Sequence, residues 1–248
     1  MALYGASGKR WALTERGSRA LARDETHLRI GPSEVAWDGK SLVFEIAEIG
    51  MPIPYRVRGT VRVTPECAPA APFLLDAGGG HRWHPFGPRA RVSVEMKNPD
   101  LSWQGSGYLD GNSGDVPLER SFVDWDWSRA DMGQEAAVLY DVNRRDGTSL
   151  SIAAKFAADG SATAFEPPPR AKLPTTGWRV ARATRSDANN PARVVDTLED
   201  TPFYARSVVA ARWNGHDVTA MHESLSLDRF DSRWVQTLLP FRMPRLKG

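Results

Sequence analysis

The sequence has little of several features that mark large protein classes. It contains a single cysteine, Cys67, which excludes a disulfide framework and a cysteine-rich metal site. Its formal net charge at pH 7 is only +2, so the basic excess typical of nucleic-acid-binding proteins is missing and we expect no nucleic-acid partner. No apolar run approaches the roughly 18 residues of a membrane span, and the first residues do not follow the pattern of a secretory signal. These absences favour an ordinary globular chain.

Alternation of apolar and polar residues is the main structural signal that is present. A period of two is typical of half-buried strands, and it predicts strands in four segments: 41–49, 56–64, 91–97 and 136–142. Turn pairs that tolerate positive φ separate the apolar runs; they are Asp38-Gly39, Asp146-Gly147, Asp159-Gly160 and Asn214-Gly215. Residues 15–23 are the best candidate for a helix, of about two turns, but they lack an apolar stripe. We therefore predict an antiparallel all-β fold, either a barrel or a sandwich.

Two loop-like segments indicate how the chain is organised. Residues 111–119 are rich in turn-forming residues and lie near the middle of the chain. We therefore predict a domain boundary there, with one β-domain over residues 1–118 and a second over residues 119–248. Residues 165–174 hold four prolines, which a central strand does not accommodate. We interpret this segment as a loop inside the second domain.

Common catalytic motifs are absent. His81 and His84 are three residues apart, but Pro85 argues against a helix and no carboxylate lies at a ligand spacing, so we expect no metal site. Residues 78–80 are three glycines without the Lys-Ser/Thr pair and the helix that a phosphate loop requires. A Gly-x-Ser-x-Gly elbow is missing, and Cys67 has no histidine near it in sequence. Covalent catalysis is therefore not indicated.

Aromatic and acidic residues are concentrated between residues 103 and 129, in a chain that has nine tryptophans. If this region is extended, Tyr108 and Asp110 point to the same face, because side chains alternate along a strand. One interpretation is a barrel wall with indoles in its core and a hairpin turn at Asp110-Gly111. The other is an aromatic cavity with one carboxylic acid aimed into it. Burial would raise the pKa of such an acid, and π faces would stabilise a cation.

Motifs along essentially the whole chain resemble those of one known family. In chain order they are Arg10–Gly17, His81–Trp83, Gly105–Gly114, Phe122–Arg129, Ala137–Asp141, Arg144–Gly147, Leu198–Ser207, His222–Phe230 and Leu239–Arg245. Together they resemble the carotenoid 1,2-hydratases (hydroxyneurosporene synthases). The resemblance implies two tandem lipocalin-like β-domains. Family members carry a further segment before the position of Met1, so the first domain is expected to be incomplete at its N-terminus.

The resemblance also implies an activity and a set of site residues. It implies a cofactor-independent lyase that adds water across the terminal C1=C2 double bond of acyclic carotenes such as neurosporene or lycopene. In that chemistry Asp110 is the general acid, and Tyr108 orients it. Trp83 provides a π wall, and His81 positions or deprotonates the attacking water. The expected substrate-binding residues are Trp103, Trp125 and Trp127, of which the last two share one strand face.

Other interpretations of the same residues stay open. A non-catalytic, lipocalin-like binder of apolar polyenes would use this scaffold, and so would an isomerase or cyclase whose cation is quenched internally. A glycoside hydrolase is disfavoured because that chemistry usually needs two carboxylates, whereas Asp126 and Glu223 are interpreted as partners of nearby arginines. A long polyene resides in the bilayer, so we expect peripheral contact with a membrane, on the cytoplasmic side of a bacterial cell. The pattern predicts no particular oligomeric state.

Overall fold

β-Strands form most of the structure, a computed structural model that describes residues 1–5 and 8–246. In chain order the strands are β1 (Ala2–Gly5), β2 (Gly8–Trp11), β3 (Glu15–Arg16), β4 (Leu21–Arg23), β5 (His27–Ile30), β6 (Ser33–Trp37), β7 (Leu42–Gly50), β8 (Tyr55–Pro65), β9 (Phe73–Leu74), β10 (His81–Asn98), β11 (Asp100–Gly114), β12 (Phe122–Asp131), β13 (Ala136–Arg144), β14 (Ser149–Phe156), β15 (Ala162–Ala164), β16 (Arg170–Leu173), β17 (Arg182–Arg185), β18 (Arg193–Asp200), β19 (Tyr204–Trp213), β20 (His216–Ser226) and β21 (Arg245–Leu246). The helical elements are a 3₁₀ turn (Ser18–Ala20), α1 (Leu118–Ser121), α2 (Leu227–Phe230) and α3 (Arg233–Arg242). None of the described helices is both long and apolar enough to cross a lipid bilayer. The prediction of an all-β fold is confirmed.

Predicted and observed elements agree at most positions. The four segments predicted as strands lie in β7, β8, β10 and β13, and each predicted turn pair joins two consecutive strands. At Asn214-Gly215 both residues have positive φ, 49° and 85°, as a type I′ turn requires. The helix considered for residues 15–23 is wrong, because β3, the 3₁₀ turn and β4 occupy them. The turn predicted over residues 111–119 starts later than expected, because β11 continues to Gly114.

The first of two compact units comprises residues 1–66, 90–109 and 236–248. Its main sheet is antiparallel, and the strand order is β11-β10-β8-β7-β6-β5-β4. Alternation along β8 buries Val57 and Val63, and the register of β10 against β8 places Val94 opposite Val61. Val57, Val94 and Met96 form an apolar core with neighbouring residues. The period-two pattern of the sequence therefore corresponds to one buried and one solvent-facing side of this sheet.

The second unit comprises residues 67–89 and 110–235. Its seven-stranded antiparallel sheet has the order β15-β14-β13-β12-β20-β19-β18. A separate hairpin of β16 and β17 packs on this sheet through contacts of β17 with β12, β19 and β20. The described strands of this unit thus form an open, sandwich-like arrangement within the lipocalin-like class. The domain boundary at residues 118/119 stays a prediction, because compactness does not show which segments fold independently.

The two faces of the seven-stranded sheet differ in character because the register aligns similar residues. On one face, Trp127 of β12 lies opposite Tyr140 of β13 and Glu223 of β20; we call this the aromatic face. On the other, Ser128 lies opposite His222, and we call this the polar face. The polar face also carries a core of small side chains, which includes Ala130, Ala137, Ala153 and Ala220. The candidate site lies on the aromatic face.

Candidate active site

Asp110 and Trp83 form the centre of the candidate site in the second unit. Trp83 lies on β10 opposite Phe73 of β9, and its side chain is fully buried. The indole Nε1–H of Trp83 donates a hydrogen bond to Oδ2 of Asp110 at 2.8 Å. Because an indole N–H can only donate, this bond orients the carboxyl group. Asp110 is therefore a carboxyl group with a fixed direction.

Trp83 belongs to a continuous group of rings that we call the aromatic cluster. Its members are Phe73, His81, Trp83, Phe122, Trp125, Tyr140 and Phe156. Ring centroids of Trp83 and Phe73 are 5.0 Å apart, those of Trp83 and Tyr140 are 5.7 Å apart, and those of Tyr140 and Trp125 are 6.1 Å apart. Most of these pairs meet edge to face, the geometry that aromatic quadrupoles favour. Through Trp83, the Asp110 carboxyl group is held against an apolar, π-rich wall.

Tyr140 is the hydroxyl-bearing member of the aromatic cluster. It lies on β13 and is 2% exposed. Burial is the main reason that the pKa of its hydroxyl is raised, and the negative charges of Asp110 and Glu223 raise this pKa further. Tyr140 therefore stays protonated and can donate a hydrogen bond. Glu223 is held by Arg206, whose Nη2 and Nε lie 2.6 and 2.9 Å from Oε1. The site thus combines a carboxyl group, an indole donor and a phenol donor among aromatic rings.

His81 is buried at the end of the aromatic cluster. Its Nε2 is 2.8 Å from Oγ of Ser121, and its ring meets Phe122 edge to face at 4.8 Å. Nδ1 is buried and has no hydrogen-bond partner among the residues that the structure describes. Gly114 passes so close that a Cβ there would lie 2.3 Å from Nδ1. The imidazole of His81 therefore fits beside Gly114 only because Gly114 has no side chain.

A second polar group lies on the opposite face of the sheet. His222 is fully buried, with Nδ1 2.8 Å from Oγ of Ser128 and Nε2 3.0 Å from Oγ of Ser224. Ser224 donates to Asp126 at 2.6 Å. Burial lowers the pKa of His222 to about 4 and raises the pKa of Asp126 to about 6. Although Ser, His and Asp meet here, Ser128 is 2% exposed and also contacts Thr184, so this group is part of the core. No cluster of three or more potential metal ligands occurs within residues 1–5 and 8–246.

The sequence of this chain matches one known protein family. The model of the family "Carotenoid hydratase CrtC" matches residues 1–248. The chain belongs to this carotenoid hydratase family. It is 53% identical over 249 residues to the acyclic carotenoid 1,2-hydratase of Thiocapsa roseopersicina, which covers 100% of this chain and 62% of the relative. It is 50% identical over 247 residues to the enzyme of the same name from Rubrivivax gelatinosus, covering 99% of this chain and 61% of the relative.

The matches cover only part of each related protein. The chain spans about three-fifths of the length of the two hydratases from Thiocapsa and Rubrivivax. In structure it is similar to a Nitrosomonas europaea protein described as AttH, with a TM-score of 0.60 and 14% identity over 84% of this chain and 71% of that one. This structural likeness concerns the fold alone, and it agrees with a lipocalin-like all-β architecture. The family resemblance inferred from the sequence motifs is confirmed.

The structure of this family member brings together part of the predicted site. His81, Trp83 and Trp125 are members of the aromatic cluster, and Asp110 is bonded to it through Trp83. Trp127 is buried on the same strand face as Trp125. The other two predicted residues belong to the first unit: Tyr108 is half-buried on β11, two residues before Asp110, and Trp103 is 48% exposed. The catalytic and substrate-binding roles of all seven residues stay predictions.

Sequence reasoning missed one aromatic residue of this hydratase-family site. Tyr140 packs edge to face on Trp83, the indole that binds Asp110, yet the sequence indicates Tyr140 only as part of the motif Ala137–Asp141. The signal that could have found it is the pairing of β12 with β13, which sets Tyr140 opposite Trp127. The interpretation of Glu223 and Asp126 as partners of arginines is confirmed. Glu223 is bound by Arg206 at 2.6 Å, and Asp126 by Arg170 at 2.9 Å.

Proposed function

We propose that this protein adds water across the terminal C1=C2 double bond of an acyclic carotene, with neurosporene or lycopene as substrate. Two kinds of evidence support the proposal. The relatives from Thiocapsa and Rubrivivax are named acyclic carotenoid 1,2-hydratases. The observation that carries the chemistry is the Asp110 carboxyl group, hydrogen-bonded by a fully buried indole within an aromatic cluster.

The proposed reaction is an acid-catalysed hydration. Protonated Asp110 transfers its proton to C2, and the π electrons of the double bond form the new C–H bond. This leaves a tertiary cation at C1, to which the oxygen of a water molecule adds. The oxonium then loses one proton, which restores the acid, so the net change is the addition of one water molecule. No redox change occurs, and the reaction as proposed uses no cofactor.

The residues around Asp110 have proposed roles that follow from their chemistry. Trp83 and Tyr140 present aromatic surface, and the electron-rich faces of such rings stabilise a developing cation. The Trp83 N–H also holds the carboxyl group in one orientation. His81 positions or deprotonates the attacking water, and Tyr108 orients the acid. Apolar contact with the polyene is assigned to Trp103, Trp125 and Trp127.

The proposed function includes peripheral binding of the protein to a membrane. An acyclic carotene is long and apolar and dissolves in the hydrocarbon core of a bilayer. We therefore propose that the protein binds peripherally to a bacterial membrane on the cytoplasmic side and takes up one end of the polyene there. Electrostatic attraction of basic residues to anionic lipids is the expected source of this contact.

The test is product analysis in water enriched in ¹⁸O. The wild-type protein is expected to convert neurosporene or lycopene into a 1-hydroxy product that carries the heavy oxygen. Asp110→Asn keeps the shape of the side chain but cannot donate an acidic proton, so it should fold normally and form no hydroxylated product. The matched control is Asp159→Asn, the same change at an exposed turn, which should keep wild-type turnover.

Three outcomes would contradict the proposal in different ways. Full turnover by Asp110→Asn would remove the acid from the mechanism. Tight binding of the carotene by the wild-type protein without incorporation of oxygen would indicate a polyene carrier. A product isomeric with the substrate would indicate an isomerase or cyclase that quenches the cation internally.

A further inference from the structure

Two tryptophans lie stacked on the surface of the second unit. Trp178 and Trp234 are each 46% exposed, and their rings are nearly parallel, with centroids 6.3 Å apart. The guanidinium of Arg229 lies 5.7 Å from the centroid of Trp234. Exposed indoles are costly in water unless they meet an apolar partner, and tryptophan is the residue most typical of membrane–water interfaces. This pair is therefore a candidate contact surface.

The backbone around Trp178 is held firmly. The turn is closed by hydrogen bonds from the amides of Arg179 and Val180 to Thr176, at 2.9 and 3.1 Å. The amide of Trp178 donates to Asp200 at 3.2 Å, and its carbonyl accepts from Arg229 at 2.8 Å. Arg179 adopts a positive φ of 60°, which is uncommon for a residue with a side chain. The indole is thus presented on a fixed turn, so little conformational entropy is lost on docking.

A basic cleft adjoins the two tryptophans. It has a volume of about 450 Å³, and Lys172, Arg179 and Arg229 contribute to its lining. Lys172 and Arg179 are exposed, and neither forms an ion pair within the described part of the chain. The acidic residues of the lining are Asp124 and Asp126. Asn143 donates to Asp124, and Arg170 and Ser224 bind Asp126, so the two unpaired cations set the sign of the cleft.

The cleft lies on the polar face of the seven-stranded sheet, where Asp124, Asp126 and the β16–β17 hairpin line it. The aromatic cluster lies on the other face, and Trp125 of β12 is the residue common to the cluster and the cleft lining. Within the second unit, the basic cleft and the aromatic cluster are therefore separate surfaces of one sheet.

We propose that the Trp178–Trp234 pair and the basic cleft dock the protein on an anionic phospholipid bilayer, with the indoles at the interface and a lipid phosphate between Lys172 and Arg179. The proposal rests on the membrane contact included in the proposed function, and it names the residues that make it. Positive charge and interfacial aromatics on one surface are complementary to a bilayer that carries anionic headgroups. The volume of the cleft is sufficient for a glycerophosphate headgroup.

The test is sedimentation with carotenoid-free vesicles of phosphatidylcholine, with or without phosphatidylglycerol. The wild-type protein should bind the vesicles that contain phosphatidylglycerol, and high salt should weaken this binding. Lys172→Gln with Arg179→Gln should weaken it by about 25-fold, since each basic residue near an anionic surface contributes about fivefold. Trp178→Ala with Trp234→Ala should weaken binding to both kinds of vesicle.

Matched controls separate docking from general effects. Lys40→Gln removes an exposed cation and Trp37→Ala removes an exposed indole, both in the first unit, and both variants should bind like wild type. Equal binding of the wild-type protein to neutral and anionic vesicles, or unchanged binding by both test variants, would overturn the proposal. Self-association of the protein that only the tryptophan variant abolishes would also overturn it, because a second copy would then occupy the surface.

The vesicles contain no carotene, so their binding by the protein does not depend on whether the protein hydrates a carotene. Hydration of a detergent-dispersed carotene reports on the proposed function alone. Lys172→Gln with Arg179→Gln should keep wild-type turnover in that assay and lose turnover when the carotene is supplied in vesicles. Loss in both assays would contradict a role restricted to docking.

Discussion

The buried pair of Asp126 and His222 leads to a quantitative prediction about stability and pH. Burial favours the neutral form of both side chains, because each charged form loses hydration. The pKa of His222 is lowered to about 4 and that of Asp126 is raised to about 6. In the unfolded chain these groups titrate near about 6.5 and about 3.9. The folded state therefore binds a proton more weakly at His222 and more strongly at Asp126 than the unfolded state does.

The two groups act on stability with opposite signs. The contribution of His222 is fully present above about pH 6.5, and it is lost as the pH falls toward 4. The contribution of Asp126 is present at low pH and is lost as the pH rises from about 3.9 through 6. At 1.36 kcal/mol per pKa unit, each contribution amounts to about 3 kcal/mol. In the wild-type protein the two offset each other across the range from pH 4 to 6.

Removing one partner should reveal the contribution of the other. His222→Gln is expected to become more stable relative to wild type as the pH falls from 6 to 4, by about 2 kcal/mol. Asp126→Asn should lose a similar amount over the same range. The measurement is the free energy of unfolding from denaturant titrations at several pH values. His216→Gln and Asp196→Asn change the same groups at exposed positions, and their curves should run parallel to wild type. Parallel curves for His222→Gln and Asp126→Asn as well would refute the reasoning.

Three further substitutions address the candidate site. Trp83→Phe keeps a ring beside Phe73 but removes the hydrogen bond that orients the acid, which is worth about 2 kcal/mol, so turnover should fall by up to about 30-fold; turnover equal to wild type would limit Trp83 to packing. Tyr140→Phe keeps the ring that is proposed to stabilise the cation and removes only the hydroxyl, so turnover and KM should stay within about threefold of wild type; a tenfold fall in turnover would instead give the hydroxyl a part in the reaction. Gly114→Ala places a Cβ 2.3 Å from Nδ1 of His81 and should lower stability by about 1–3 kcal/mol, so an unchanged melting temperature would show that the imidazole has room to move.

Periodicity predicted the strands of the first unit well for a physical reason. β8 and the neighbouring part of β10 have one face in the core and one in water, so apolar and polar residues alternate along them. In the second unit the sheet is covered on both faces. β13 is buried over Ala136–Val142, and a continuous apolar run does not show which face meets the acid. Tyr140 could be placed beside Asp110 only once the pairing with β12 was known.

The buried polar face was not predicted from the sequence, because polar residues in a strand suggest exposure to water. Asp126, Ser128, His222 and Ser224 point into the protein, although polar residues in a strand usually indicate a face in water. Their burial is possible because they bind one another, and no local pattern reports on partners that are distant in sequence. Motif similarity, in contrast, selected Asp110, Trp83 and His81, which the structure places at one aromatic cluster, and their roles stay predictions. A motif identifies the residues of a site, but it does not show which other side chains pack behind them.

The strand order of the second unit has a consequence for how this chain acquires its fold. β12–β15 are neighbours in sequence and in the sheet, and so are β18–β20. In the described sheet these two meanders are joined by the pairing of β12 with β20, where the hydrogen bond of Ser224 to Asp126 links residues 98 apart. Closing so long a loop is entropically more expensive than closing a hairpin, and distant pairings slow folding. The meanders are therefore expected to form first and to join last. A slip of one residue at that joining would turn His222 and Ser224 toward the aromatic face, so the buried polar bonds select the correct register in the final step.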